Sequence, residues 1–353
     1  MKQAILYIFS LVFQLVTRFR NQLFDWGLLS VYHSKLPVIS VGNITVGGNA
    51  KTPICMQIAE MLGHSGYRPV ILSRGYGGKI RGPYLVKEGD SASLVGDEPL
   101  LMYRSTGFPV VISKRRVAGA RFIEDNRLGD LIILDDGFQH RRLHRDIDIV
   151  SVDVGTEKAI GYFLSGKILP LGRYREDRSK AFERCDILIF SERRMVSENT
   201  PLDSRLFKVV PRGIKIYRSV ISNARLVPLN SPGNGDTPLP DQVAAFCAIA
   251  SPENFFMTLE KLGCKILRRY AFPDHHRFTG AEIEQIKREN PDLTIVCTEK
   301  DAVKLTTLQL NNVYALKIDT RILPSDAFSV QLKRMLIRES SKPDLKLAGD
   351  QSS

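Results

Sequence analysis

The chain has 353 residues, of which 43% are hydrophobic and 25% charged, and a formal net charge of +12. That balance excludes a disordered or fibrous chain, suggests two domains, and favours an anionic partner such as a nucleotide, a nucleic acid or an anionic lipid. The five cysteines, Cys55, Cys185, Cys247, Cys264 and Cys297, form no Cys-x-x-Cys pair. This argues against a structural zinc site or a secreted disulfide framework and for a reducing compartment.

Residues 4–16, AILYIFSLVFQLV, are almost wholly apolar and lead into Arg18 and Arg20. The run is too short for an ordinary transmembrane helix, and no small-residue cleavage site of a signal peptide follows. We expect a helix lying in a membrane interface, with Trp26 and the arginines at headgroup level. The alternative is an N-terminal helix buried against the core.

LPVISV, residues 36–41, has the length of a strand, and VGGNAKT follows it. Ile54, Ile58, Met61 and Leu62 then recur at helical spacing, and Gly63 can end that helix. Strand, small-residue loop, Lys-Thr and helix make the layout of a phosphate-binding loop, in which backbone N–H groups and the helix dipole face phosphate oxygens. The candidate nucleotide-binding residues are Thr45, Val46, Gly47, Gly48, Asn49, Ala50, Lys51 and Thr52. Lys51 is placed to reach the β- and γ-phosphates, and the Thr52 hydroxyl to hold Mg²⁺. Ala50 and Thr45 stand where the strict pattern has glycine, and an ordinary strand-to-helix turn would also use small residues.

PVILS is a second strand and runs into the Gly-rich basic loop RGYGG, where Arg74 and Tyr76 can face an anion. VGDEP sets Asp97 and Glu98 before Pro99 at a helix start, where acids either complement the dipole or act in catalysis. FPVVISK is a third strand, and the helix after it opens unfavourably on Arg115 and Arg116, which hints at a nearby anion. DLIILDDGFQHRR delivers Asp135 and Asp136 at the carboxyl end of a strand, the usual place for an acid that coordinates Mg²⁺ beside a phosphate loop. IDIVSVD and DILIF are further strands, separated by a loop with Arg173, Arg175 and Glu176. Strands alternating with helices over residues 36–190 predict a P-loop NTPase-like, doubly wound parallel sheet in an α/β fold. Lys51, Asp97, Arg116, Asp135 and Arg175 then share the rim at the carboxyl ends of its strands.

Residues 214–229 read as one or two strands without helices, and NSPGNGDTPLPD as a linker. A smaller α/β unit follows. It has the strand QVAAFCAIA, a helix capped by Ser251, FPDHHRF with His275 and His276, a capping box of Thr279 and Glu282, and LTIVCTEKDAVKL. The final ESSKPDLKLAGDQSS has the composition of a disordered tail.

VGNITVGGNAKTP, ILSRGYGG, VGDEP, LDDGFQHR, LPLGRYRE, FPDHHRF and TEKDAVKL occur here in one order. In these motifs, and over about residues 5–335, the chain resembles the tetraacyldisaccharide 4′-kinase family, the lipid A 4′-kinases of Gram-negative bacteria. The resemblance implies a P-loop kinase with two α/β domains joined by a β linker. Its regions would be a membrane-associated helical region at 1–34, a P-loop kinase domain at 35–213, a β linker at 214–241, a smaller α/β domain at 242–338 and a disordered tail at 339–353. It implies transfer of the ATP γ-phosphate to the 4′-hydroxyl of a tetraacyl glucosamine disaccharide 1-phosphate, with ATP and Mg²⁺ as cofactors. The partners would be that lipid A precursor and the membrane surface at the cytoplasmic face of the inner membrane, with no nucleic acid and no obligate protein partner.

Residue by residue, the resemblance gives Lys51 and Thr52 to the phosphates and Mg²⁺, and Glu98, Asp135 and Asp136 to the surroundings of the metal. Asp97 would activate the sugar hydroxyl, supported by His275 or His276. Arg116 and Arg175 would neutralise phosphate charge, with Gln139 and Glu176 in support. The chain departs from the family at the phosphate loop, reading GGNAKTP where GGTGKTP is usual, so Ala50 adds a Cβ where backbone closes on phosphate. The competing reading is a P-loop NTPase of the metallochaperone or switch class, which needs neither the apolar N-terminus nor the His pair. A nucleic-acid binder fits less well, because the arginines are dispersed and no nucleic-acid motif is present.

Overall fold

The computed structural model describes residues 2–47, 50–197, 199–229, 239–306 and 310–340. Gly48 and Asn49 of the phosphate loop, most of the linker composition at 230–238, and residues 341–353 of the expected tail lie outside the described residues. In chain order the elements begin α1 (Lys2–Asp25), β1 (Val38–Gly42), α2 (Lys51–His64), β2 (Pro69–Ser73), β3 (Tyr84–Leu85), α3 (Ala92–Val95) and α4 (Asp97–Thr106). They continue with β4 (Val110–Ile112), α5 (Arg116–Asp125), β5 (Leu131–Asp135), β6 (Ile147–Asp153), α6 (Glu157–Ser165), α7 (Arg178–Phe182), β7 (Ile187–Ser191) and α8 (Ser204–Phe207). The last are β8 (Lys215–Pro228), β9 (Gln242–Cys247), α9 (Pro252–Lys261), β10 (Lys265–Ala271), α10 (Gly280–Glu289), β11 (Thr294–Thr298), α11 (Glu299–Leu305), β12 (Val313–Leu323) and α12 (Ser325–Ser340).

All the strands join one 12-stranded sheet in the order β10-β9-β11-β12-β8-β7-β6-β1-β5-β2-β4-β3. β1, β2, β5 and β7 are buried along their whole length. Helices cover both faces of such strands, which is why they read as continuous apolar runs. β1 pairs in parallel with β5 on one side and β6 on the other. It therefore lies at the switch point of the doubly wound order, where ligands bind in the crevice beyond the strand ends.

The sequence suggested two α/β units bridged by a β linker. The bridging stretch is β8, a 14-residue strand inside the sheet, parallel to β7 and antiparallel to β12. β10 and β12 are strands that the sequence pattern did not single out. β10, KILRRYA, closes one edge of the sheet with Lys265, Arg268 and Arg269 exposed. Lys and Arg on an edge strand discourage pairing with other chains and also blur the alternation that marks a strand. α12 returns to the far side of the molecule. Its Phe328, Leu332 and Leu336, spaced one turn apart, bury into the same cluster as Ile39, Ile58, Leu62 and Ile133. Tyr217 of β8 meets Phe328 edge-on, ring centroids 5.0 Å apart. Each such side chain contributes about 1.5–3 kcal/mol by leaving water.

α1 has its polarity inverted. The stripe turned to the protein holds Ser10, Phe13, Gln14, Thr17 and Asn21, while Ile5, Ile8, Phe9, Val12, Leu15, Val16 and Phe19 are exposed. Hydrogen bonds seat the inner face: Ser10 Oγ donates to the Ile168 carbonyl at 3.0 Å, and Arg18 pairs with Asp177 at 2.7 Å. The alternative of a helix buried through its apolar residues is not what forms. No helix among the described residues is long and apolar enough to cross a membrane.

Candidate active site

The phosphate loop starts as β1 ends. Residues 44–46 are laced to 173–175, Val46 N donating to the Arg173 carbonyl and Arg175 N to the Ile44 carbonyl, each at 2.8 Å. This lacing carries Arg175 onto the loop. Ala50 caps α2 at φ 53°, ψ 28°, a left-handed conformation that glycine adopts freely and alanine at a cost of about 1–2 kcal/mol. α2 begins at Lys51, whose Nζ lies 2.7 Å from Asp136 Oδ1. Arg175 Nη1 reaches the same oxygen at 3.4 Å. Burial pushes the Asp136 carboxyl up, but Lys51 and Arg175 outweigh it and hold the group below the usual carboxylate range.

Asp135 is 4% exposed at the end of β5 and accepts a hydrogen bond from Ser73 Oγ at 2.9 Å. Burial, reinforced by the negative charges of Glu98 and Asp136, pushes its carboxyl up to about 6 against the pull of Lys51 and Ser73. Arg116 is 3% exposed. Its Nη1 donates to the Ser113 carbonyl at 2.7 Å and its Nη2 to the Asp135 carbonyl at 3.4 Å, so it ties the ends of β4 and β5 together. Its Nε is buried with no hydrogen-bond partner among the described residues. Burial lowers this guanidinium to about 10 despite the attraction of Asp135 and Asp136.

Two chain segments far apart in sequence meet above this rim. Gly96 adopts φ 98°, and a Cβ there would lie 2.5 Å from the Tyr76 carbonyl. Only glycine lets the RGYGG loop close on the start of α4. Asp97, the first residue of α4 and 4% exposed, bonds His275 Nδ1 through Oδ2 at 2.9 Å. Tyr76 covers His275, ring centroids 4.9 Å apart. Lys300, at the start of α11, lies 3.4 Å from His275 Nε2 and 3.1 Å from Glu98. Burial raises the Asp97 carboxyl, but the bond to His275 and the charges of Lys300, His275 and Lys304 prevail and hold it low. His276 turns away: Nε2 meets Glu282 at 3.0 Å and the ring stacks on Phe272. The two histidines are thus separated, one facing the carboxylate and the other locked into its own element.

A cavity of about 570 Å³ opens from the phosphate loop between the two ends of the sheet, with Lys51, Thr52, Glu98, Arg193, Ser251 and Lys300 in its wall. Of the sequence candidates, Lys51, Thr52, Glu98, Asp136 and His275 line it, together with Gly47 and Ala50. Thr45 and Val46 hold the base of the loop. Sequence reasoning missed four residues. Lys300 sits in TEKDAVK, a motif noted at a strand end without a role for any member, and Ser73 in ILSRG, where Arg74 drew the reading. His140 follows the DDGFQ run; burial, together with the charges of Arg116, Arg145, Arg74 and Arg142, pushes it down to about 4. Arg193, in left-handed backbone at φ 47° and paired with Asp153 at 3.4 Å, carries no signal in the sequence.

A family model described as tetraacyldisaccharide-1-P 4′-kinase matches residues 2–337. Among curated relatives, a tetraacyldisaccharide 4′-kinase of Syntrophus aciditrophicus is 37% identical, over 94% of this chain and 92% of that protein. Those of Aeromonas hydrophila and Legionella pneumophila are 36% and 35% identical, over 93% and 92% of this chain and 90% and 91% of theirs. Among solved structures, the "apo" form of LpxK from Aquifex aeolicus in complex with ATP superposes with a TM-score of 0.74 at 30% identity. The match covers 95% of this chain and 100% of that one.

Proposed function

The chain belongs to the tetraacyldisaccharide-1-P 4′-kinase family, and we propose that it transfers the ATP γ-phosphate to the 4′-hydroxyl of a tetraacyl glucosamine disaccharide 1-phosphate on the rim between Lys51 and His275. The enzyme is an ATP-dependent kinase of lipid A biosynthesis. The observation that carries the residue assignment is the Asp97–His275 bond, which spans the crevice and ends beside the phosphate loop. A switch NTPase has no use for it.

In this reading the loop from Thr45 to Thr52 cradles the phosphates with backbone N–H groups, and the cavity takes the nucleoside. Lys51 and Arg175 leave Asp136 and turn to the β- and γ-oxygens, neutralising charge as the phosphoryl group moves. Asp97 accepts the proton of the attacking hydroxyl, and His275 holds the carboxylate in line and stabilises its charge. Arg116 and Arg74, with Arg142 and Arg145 close to the uncharged His140 ring, make a cation-rich floor suited to the acceptor's 1-phosphate. His276 serves the fold, through Glu282.

Mg²⁺ fits the donor set. Glu98 and Asp136 bring their negative charge close to Asp135, and Thr52 shares a cavity wall with Glu98 and Asp136, a set of hard oxygen donors of the kind a divalent cation takes. Among the described residues no cluster of three His, Cys, Asp or Glu is ready-made for a metal. Thr52, Asp135 and, through water, Glu98 and Asp136 would hold it. When bound it supplies neutralisation of the β- and γ-phosphate charge.

The outward apolar face of α1 supports attachment to the cytoplasmic face of the inner membrane, with Arg18 and Arg20 at headgroup level. We keep the division at 1–34, 35–213, 214–241, 242–338 and 339–353 as part of the proposal, with the crevice between the second and fourth regions closing on substrate. The test is radiolabelled ATP with the disaccharide 1-phosphate lipid in detergent micelles and purified protein alone. Label in the lipid, lost in Lys51→Ala, is the expected result. Hydrolysis without transfer, or activity only with an added protein, overturns the reading.

A further inference from the structure

Most of the polar stripe of α1 serves to seat the helix, but Asn21 contacts a group that leads elsewhere. Its Nδ2 donates to Glu176 Oε2 at 3.1 Å. Glu176 is 2% exposed, directly after the segment laced to the phosphate loop. Its Oε1 accepts from Gln139 Nε2 at 3.2 Å, and Arg184 Nη2 also donates to Oε2, at 2.6 Å. Gln139 Oε1 accepts from Arg175 Nη1 at 3.2 Å. That same Nη1 reaches Asp136 Oδ1, the oxygen that holds Lys51.

Every link sets a donor against an acceptor. Gln139 has only one workable orientation, because its Nε2 also donates to the Asn43 carbonyl at 2.7 Å. A flipped amide would turn its N–H₂ on the Arg175 guanidinium and its oxygen on a carbonyl and a carboxylate. A buried carboxylate with a fixed set of donors has little freedom, and the groups it orients share its position.

We propose that Asn21 is a positioning residue for phosphoryl transfer. Through Glu176 and Gln139 it sets the Arg175 guanidinium beside Asp136 and Lys51, so the phosphate site senses whether α1 is seated on the enzyme. The inference rests on the reading of Arg175 as a group that neutralises phosphate charge. It gives the helix a second role: the face away from the protein meets lipid, while the face toward the protein tunes the reaction.

The test uses the full chain in detergent micelles. Asn21→Asp sets a second carboxylate against Glu176, and Asn21→Ala removes one of its donors. Each is expected to lower kcat on the order of tenfold through a misplaced Arg175, with the KM for ATP and the binding to phosphatidylethanolamine–phosphatidylglycerol vesicles near those of the parent. In an Arg175→Ala background, Asn21→Asp should cost little more, since residues acting as a unit are non-additive. Rates within about twofold of the parent for both Asn21 variants, or equal losses in both backgrounds, overturn the proposal. So does a loss of vesicle binding in step with rate, which would make Asn21 a docking contact alone. Lys51→Ala run alongside separates the two ideas: if it keeps full activity, the reading of the phosphate site has failed instead.

Discussion

Asp97 and His275, 178 residues apart in the chain, share a 2.9 Å hydrogen bond that crosses the crevice. Lys300 stands against both the ring and Glu98. The pair is assembled only when the two ends of the sheet face each other.

Asp97→Ala should lower kcat by on the order of 10²–10⁴, the range for general base catalysis, and leave Mg²⁺-ATP affinity almost unchanged. His275→Ala should cost less, and the double variant should be no worse than Asp97→Ala alone. Titration calorimetry of Mg²⁺-ATP beside single-turnover transfer decides the matter. Parallel losses of affinity and rate would make Asp97 a metal ligand.

Ala50 stands in left-handed backbone at the mouth of the phosphate loop. Ala50→Gly should raise the melting temperature by a few degrees, as relief of about 1 kcal/mol predicts, and keep or increase the rate. Lys51→Ala should lower the rate on the order of 10²-fold or more. A clear loss of activity in Ala50→Gly would mean that the left-handed alanine is itself required.

The outer face of α1 can be altered without touching its seat. Ile8→Glu and Leu15→Glu, at positions 60% and 65% exposed, should each weaken vesicle binding by about tenfold or more. Thermal stability should hold within about 0.5 kcal/mol. Sedimentation with vesicles and differential scanning calorimetry read the two effects separately. Variants that lose the melting transition would show that the exposed face is packed in solution.

Glu299, half-buried at the first turn of α11, is pushed by burial up to about 7 from its ordinary 4.5, against an opposing hydrogen bond from Ile318 N at 3.2 Å. The folded state therefore holds this proton more tightly than the unfolded one. Stability from this group is full below about pH 4.5 and is lost as pH rises through 7. Glu299→Gln keeps an acceptor and removes the charge. It should melt with the parent at about pH 4.5 and a few degrees above it at about pH 8. Equal melting temperatures at the higher pH would exclude the effect.

The parallel strands could be read from LPVISV, LIIL and DILIF because burial on both faces writes itself as an unbroken apolar run. Asp135 and Asp136 could be read because they follow such a run at once, and Lys51 because it closes the small-residue loop that leads from one into a helix. The inverted face of α1 could not: the eleven apolar residues in 4–16 look alike whether they face lipid or core, and only Ser10, Gln14 and Asn21 reveal the inner side. The choice between His275 and His276 needed the crevice in three dimensions, since both precede the same capping box. β10 and β12 escaped notice because one is charged at the sheet edge and the other pairs antiparallel with β8, outside the strand–helix rhythm. Arg193 depends on a single left-handed residue after β7, for which neither neighbour in sequence gives a sign.

Phe328, Leu332 and Leu336 finish a core that starts at Ile39. The half of the sheet that carries Lys51 is thus sealed by α12, the last of the described helices. A nascent chain that ends before residue 328 has every residue proposed to touch ATP and still lacks part of the cluster to which Ile58 and Leu62 belong. Order of synthesis and order of completion are therefore opposite. α1 precedes the nucleotide half in the chain, and that half becomes whole only when α12 arrives. For anyone shortening or tagging this enzyme, α12 is a structural wall of the catalytic half, although it lies far from Lys51 in the sequence.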